Sequence, residues 1–147
     1  MQTIWILAAD NSRVRVFQEL DHEHHLQEIQ DFANPAGHAS GRELETDSKG
    51  RYYGKGERSQ AHTAEPDVDP IQHENELFSK EIGEFLDKAR NEHRYDKLHV
   101  IAPPKFLGLL RKNLNKETQK LVGEEIVKDI SWQGKHEIEA FVRTRKL

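Results

Sequence analysis

Residues 3–9 (TIWILAA) constrain this chain more than any other segment: they are apolar at nearly every position and rich in β-branched and aromatic side chains. As a strand, the segment has no face to turn toward water, so it must be covered on both sides. Asp10-Asn11-Ser12 then supplies turn chemistry, because short Asx and Ser side chains bond their own backbone. Val14 and Val16 alternate with Arg13 and Arg15, the period of a half-buried strand. After a second turn at 21–25, residues 26–32 form a weaker third strand whose buried face the pattern does not assign. Short turns join the three into an antiparallel meander.

Residues 33–69 break that pattern. Over these 37 residues there is no Ile, Phe, Trp or Met, while there are five Gly and twelve charged side chains. A stretch so composed cannot bury enough apolar surface to offset the entropy of ordering it. It reads as a long mobile loop, and such loops inside a compact domain are usually functional or disordered.

Order resumes at Asp69-Pro70-Ile71-Gln72, with Asp at the N-cap, Pro at the first helical position and Gln three residues after the cap. Phe78, Ile82, Phe85, Leu86 and Ala89 follow on one helical stripe. Glu74 and Glu76 sit near the positive end of the dipole, and Arg90, His93 and Arg94 near the negative end. Residues 98–102 (LHVIA) form a buried strand, after which Pro103-Pro104 opens a helix with Phe106, Leu107, Leu109, Leu110 and Leu114 on its apolar side. A further turn or two covers 116–122 and stops at Gly123, and residues 125–130 make a fifth strand. Residues 135–146 close the chain as an amphipathic helix with Ile138, Phe141 and Val142 facing in.

The order βββ-loop-α-β-α-β-α, with right-handed crossovers between parallel strands, predicts an α/β fold: a mixed five-stranded sheet, ribonuclease H-like in topology, with helices on both faces. The length suits a single domain over 1–147, with the 33–69 loop inserted between the third strand and the first helix.

Composition removes several function classes. There is no Cys, which excludes a disulfide framework, a thiolate zinc site, an iron–sulfur cluster and a cysteine nucleophile. The longest apolar run, residues 4–9, falls far short of the ~20 residues that span a bilayer. With polar residues behind it and no basic stretch ahead, that run is not a signal peptide. The expectation is a soluble cytoplasmic protein with no membrane partner. Net charge is −4 but uneven: residues 1–73 carry 7 Lys/Arg against 13 Asp/Glu, and residues from Lys97 onward carry 11 against 6. A polyanion would meet the C-terminal half first.

The topology invites a nuclease test, since two-metal nucleases need converging carboxylates that hold ions ~4 Å apart. Asp10 ends the first strand, and the first helix carries Glu74, Glu76, Glu81 and Glu84. The fourth strand, however, ends in Ala102-Pro103-Pro104, and Asp129 falls in the body of the fifth. Asp10 therefore reads as a turn residue and the glutamates as a solvated helix face. His22, His24 and His25 crowd a turn with Glu23, where adjacent residues cannot fix a tetrahedral metal geometry. His38, His62 and His73, near Asp67 and Asp69, are a further metal candidate. No Ser-centred elbow, Walker motif or dinucleotide glycine pattern is present. No catalytic residue, metal or cofactor is assigned.

The segment Lys49-Gly50-Arg51-Tyr52-Tyr53-Gly54-Lys55-Gly56-Glu57-Arg58 combines cations for phosphate contact, aromatics for base stacking and glycines for flexibility. It is also what an ordinary solvated loop can look like. Lys105, Arg111, Lys112, Lys116 and Lys120 form a second basic group that equally fits the outer face of a helix pair.

Two stretches together resemble a known family. The opening Ile4-Trp5-Ile6-Leu7-Ala8-Ala9-Asp10-Asn11-Ser12-Arg13-Val14-Arg15-Val16-Phe17 and the later Ala102-Pro103-Pro104-Lys105-Phe106-Leu107-Gly108-Leu109-Leu110-Arg111 resemble the bacterial host-attachment family, over essentially the whole chain. Asp47-Ser48-Lys49-Gly50-Arg51 is similar to the family's loop motif, with Ser-Lys where Arg-Pro is expected. That family in turn resembles the middle domain of eukaryotic and archaeal peptide-release factors, in which a flexible basic loop with Gly-Gly-Gln precedes a long helix. This chain has no Gly-Gly-Gln, so peptidyl-tRNA hydrolysis is not carried over. The resemblance implies RNA or ribosome association, and with the basic segments read above the expectation is a non-enzymatic module that binds through Lys49, Arg51, Tyr52, Tyr53, Lys55 and Arg58 with support from Arg111 and Lys112. Two alternatives stay open: a hydrolase acting on RNA or peptidyl-tRNA through loop groups such as His62 and Asp69, and a protein-interaction factor that supports attachment.

Overall fold

The computed structural model describes residues 2–36 and 69–147. Strands β1 (Ile4–Ala9), β2 (Arg13–Glu19), β3 (Leu26–Ala33), β4 (Lys97–Ala102) and β5 (Val122–Val127) form one sheet in the order β3-β2-β1-β4-β5. The meander β1-β2-β3 is antiparallel, whereas β4 runs parallel to both β1 and β5. Helices α1 (Pro70–Asn91), α2 (Pro104–Asn113), α3 (Lys116–Leu121) and α4 (Lys135–Arg145) complete the expected α/β layout with its mixed five-stranded sheet.

Alternate residues of β1 enter different cores. Trp5, Leu7 and Ala9 pack with Phe78, Ile82 and Leu86 of α1 and with Phe106 and Leu110 of α2. Ile6 and Ala8 join Phe17, Ile101 and Ile126 under Ile138 and Val142 of α4. The helices therefore lie on both faces of the sheet, which is why β1 carries no polar position. Asp69 caps α1 as expected, its Oδ1 accepting the Ile71 N–H at 3.0 Å. Gln72 turns instead to Glu76, so no capping box closes.

The half-buried reading of β2 is corrected. Val14, Arg15, Val16 and Phe17 are all buried, and the second face is covered by the segment between β5 and α4. Arg15, 6% exposed, donates to both carboxylate oxygens of Glu28 at 3.0 and 2.9 Å and to the carbonyls of Ser131 and Gln133 at 3.1 and 2.6 Å. The third strand runs one residue further than expected, to Ala33. A bulge explains its unreadable face. Val16 pairs with Gln30 but Phe17 with Glu28, so Ile29 is the extra residue and the side-chain phase switches there. Leu26 falls in the α4 core, whereas Phe32 packs on the α1 side.

The fifth strand starts at Val122 rather than Glu125 and ends at Val127, which places Asp129 beyond the strand. Gly123 does not stop a helix; it is where the backbone meets His99 of β4. A Cβ there would stand 2.7 Å from His99 Cε1. His99 is 4% exposed, and its Nδ1 accepts the Glu124 N–H at 3.0 Å, which fixes the neutral ring with its proton on Nε2. Burial, and then Lys97, hold the imidazole below its ordinary range, with Glu124 opposing. The folded state thus resists a proton that the unfolded chain accepts near pH ~6.5. His99 contributes stability fully above that pH, and the contribution is lost as pH falls from there toward the depressed folded value. The urea midpoint should fall more steeply between neutral and mildly acidic pH in the natural chain than in His99→Asn. Parallel profiles would refute this.

Candidate functional site at the carboxyl end of the sheet

Parallel strands β1 and β4 end side by side, the place where open α/β sheets hold ligands. Around that edge the β1–β2 turn, the start of α1 and the first turns of α2 enclose a crevice of about 290 Å³. Asn11, Asp69, Gln72, Asn75, Lys105 and Leu109 line it.

Local chemistry sets each wall. Asp10 Oδ1 accepts the N–H groups of Ser12 and Arg13 at 2.8 and 2.9 Å, and Oδ2 accepts the Trp132 indole N–H at 3.0 Å. Both oxygens of Asp10 therefore hold structure, as its turn position implies. Asn34 pins the neighbouring chain. Its N–H donates to the Ser12 carbonyl, and its Nδ2 donates to the Asn11 carbonyl at 2.8 Å and to Asn75 Oδ1 at 3.0 Å. The bond to a backbone carbonyl identifies the Asn34 nitrogen, so Asn75 must present its oxygen to Asn34. The Asn75 amide N–H groups have no partner among the described residues. Asn11 Oδ1 is buried without a partner. At the start of α2, Pro103 provides no side-chain cap.

Lys105, Leu109 and Lys112 recur at i, i+4 and i+7 and so share one face of α2, with the two lysines ~10.5 Å apart. Lys105, Lys112 and Lys116 are exposed and have no ion pair among the described residues. Arg111 points elsewhere: its Nε and Nη2 both reach Glu125 Oε1, at 2.9 and 2.5 Å, and that pairing raises its pKa. Lys120 pairs with Glu117 at 3.3 Å. Of the expected supporting cations, Lys112 thus joins the crevice stripe, whereas Arg111 is tied to β5. The segment with Lys49, Arg51, Tyr52, Tyr53, Lys55 and Arg58, together with His38, His62 and Asp67, lies outside the described residues.

On the α4 side of the same edge, the Arg13 guanidinium stacks 4.9 Å over the Trp132 ring and binds Asp31 through two bonds of 3.1 and 2.8 Å. Asp129 lies close enough to Asp10 that, after burial, this neighbour helps to raise its carboxyl pKa. Of the clustered histidines, His24 pairs with Glu19 at 3.0 Å and His25 with Asp21 at 2.8 Å. Among the described residues, no three or more His, Asp or Glu side chains are grouped to hold a metal. No described helix is long and apolar enough to cross a membrane. Sequence patterning missed Asn34, Asn75 and Trp132, because single polar or aromatic residues leave no periodic signal.

A family model described as "Protein required for attachment to host cells" matches residues 5–142, from within β1 to within α4. No curated protein matches the chain.

Proposed function

The chain belongs to the family of proteins required for attachment to host cells, and from that premise we propose that it is a non-enzymatic module that binds RNA, ribosomal RNA included. The observation that carries this reading is the run of cations beside the crevice. Lys105, Lys112 and Lys116 are exposed without ion pairs among the described residues. Asp69, where the chain enters α1, lines the same crevice, and the cationic segment 49–58 ends eleven residues before it in the sequence. Phosphate contacts from both would give one continuous polyanion track. The engagement of Asp10 in a turn and with Trp132 supports binding over hydrolysis. A role in attachment then follows indirectly, from the RNA bound.

Fluorescence anisotropy with a mixed-sequence single-stranded RNA tests the reading. Affinity should fall with salt at a log–log slope of about −0.7 per phosphate contacted. Replacing Arg51, Lys55 and Arg58 together by Gln should make the slope shallower by about 2, and Lys105 and Lys112 by about 1.4. RNA and ribosome binding that is absent at low salt, or indifferent to salt, would end the proposal.

A further inference from the structure

The crevice between α1 and α2 is lined by hydrogen-bonding groups of both kinds. Asn75 is 9% exposed; its oxygen is taken by Asn34, and its N–H groups have no partner among the described residues. Asn11 lines the same crevice, and its Oδ1 is a buried acceptor without a partner. Folds rarely leave a buried acceptor such as Asn11 Oδ1 open, and a ligand that completes its bond is one physical reason to do so. The remaining lining narrows the ligand. Ile71 and Leu109 add apolar wall, which a bare ion would leave unused. Lys105 stands at the uncapped first turn of α2 and suits an anionic group. Asp69, at the start of α1, repels a ligand that is anionic throughout. What fits is a flat, partly apolar body with a donor and an acceptor on its edge and one anionic substituent.

We infer that this crevice binds a nucleotide, with Asn75 and Asn11 on the base edge, Ile71 and Leu109 against its faces and Lys105 at its phosphate. Carboxamide groups serve as donors and acceptors to base edges, and with its oxygen held by Asn34, Asn75 offers the donor. A volume of about 290 Å³ lies at the small end of ligand pockets and suits a single base. The inference deepens the RNA reading and rests on it for the source of the base, an unstacked nucleotide of a bound strand.

Calorimetric titration of the full chain with AMP, GMP, CMP, UMP and inorganic phosphate tests it. At least one mononucleotide should bind with Kd below about 1 mM, and phosphate alone should not. Asn75→Asp keeps the oxygen that Asn34 needs but replaces the donor by an anionic acceptor, and should weaken binding about tenfold or more. Lys105→Gln, at an exposed position, should weaken nucleotides while leaving nucleosides unchanged. In the RNA assay, Asn75→Asp should erase any base preference and leave the salt slope intact. The inference is overturned if no mononucleotide binds at about 5 mM, or if Asn75→Asp and Asn11→Ala bind as the natural chain does. Mononucleotide binding without RNA binding would uphold the pocket and sink the RNA reading, so the two failures are separable.

Discussion

Arg15→Leu should destabilise the protein by about 3 kcal/mol and lower the Tm by roughly 10 °C. The expected cost comes from what the guanidinium leaves behind. Glu28 would keep its charge without a partner, and the carbonyls of Ser131 and Gln133 would lose their donors on the covered side of β2. Removing one member of a buried pair typically costs about 3–5 kcal/mol. The Glu28 side chain is 29% exposed, so water recovers part of that loss and the lower figure applies. Restoring neutrality with Glu28→Leu in the same chain should return a substantial share of the stability, because an apolar pair has no stranded charge. The variant also has an optical signature. Arg15 holds the backbone on both sides of Trp132, which is 56% exposed, whereas Trp5 is buried. Loosening should therefore shift the emission of Trp132 at denaturant concentrations where the core around Trp5 is intact. A Tm within about 2 °C of the natural chain would refute the assigned role.

That same residue marks where the sequence became unreadable. Alternation placed Arg15 on an outward face, because a charge at every second position normally means solvent. The face is in fact covered by the β5–α4 segment, which is irregular backbone with no period of its own and brings two carbonyls to meet the charge. The order of strands and helices was legible because β1 and the stripe of α1 carry strong, unambiguous periods. The third strand was not, since an extra residue at Ile29 throws Leu26 and Phe32 onto opposite faces and cancels the pattern. Gly123 misled for a related reason. Glycine after a helical stretch usually ends it, yet here the missing side chain makes room for His99, a contact made across 24 residues of sequence.

The candidate site divides in the same way. Asp10 as a turn residue and Asp69 as a helix cap were legible, because both act within three residues of themselves. The Asn11–Asn34–Asn75 contact was not. It joins the first turn, the end of β3 and the second turn of α1, and no local rule connects positions so far apart. The basic group at α2 was legible in composition but not in grouping. Helical geometry alone separates Lys105 and Lys112 from Arg111, and only the fold puts Glu125 beside Arg111.

Gly83 and Gly108 make the sharpest use of the structure, because the same substitution should move stability in opposite directions. Both glycines lie inside helices, where exchange for Ala ordinarily gains about 1 kcal/mol. At Gly108 a new Cβ meets nothing within 4 Å, so Gly108→Ala should raise the Tm by roughly 3 °C. At Gly83 the new Cβ would come within 3.0 Å of the Asn113 carbonyl carbon and closer still to its oxygen. That obstacle is backbone, and it cannot easily yield: Asn113 Nδ2 donates to Ser79 Oγ on α1 and to the Leu109 carbonyl, both at 2.9 Å. Relief requires α1 and α2 to move apart, opening the core at Phe78, Phe106 and Leu110. Overpacking of this kind costs about 1–3 kcal/mol and occasionally more, enough to exceed the propensity gain. Gly83→Ala should therefore lose about 1–2 kcal/mol net, a fall of roughly 3–6 °C in Tm. The same separation would widen the crevice that α1 and α2 enclose, so nucleotide affinity should drop with stability in Gly83→Ala and hold in Gly108→Ala. If Gly83→Ala were as stable as the natural chain, the close approach of the two helices would be wrong, and with it the shape of the site they frame.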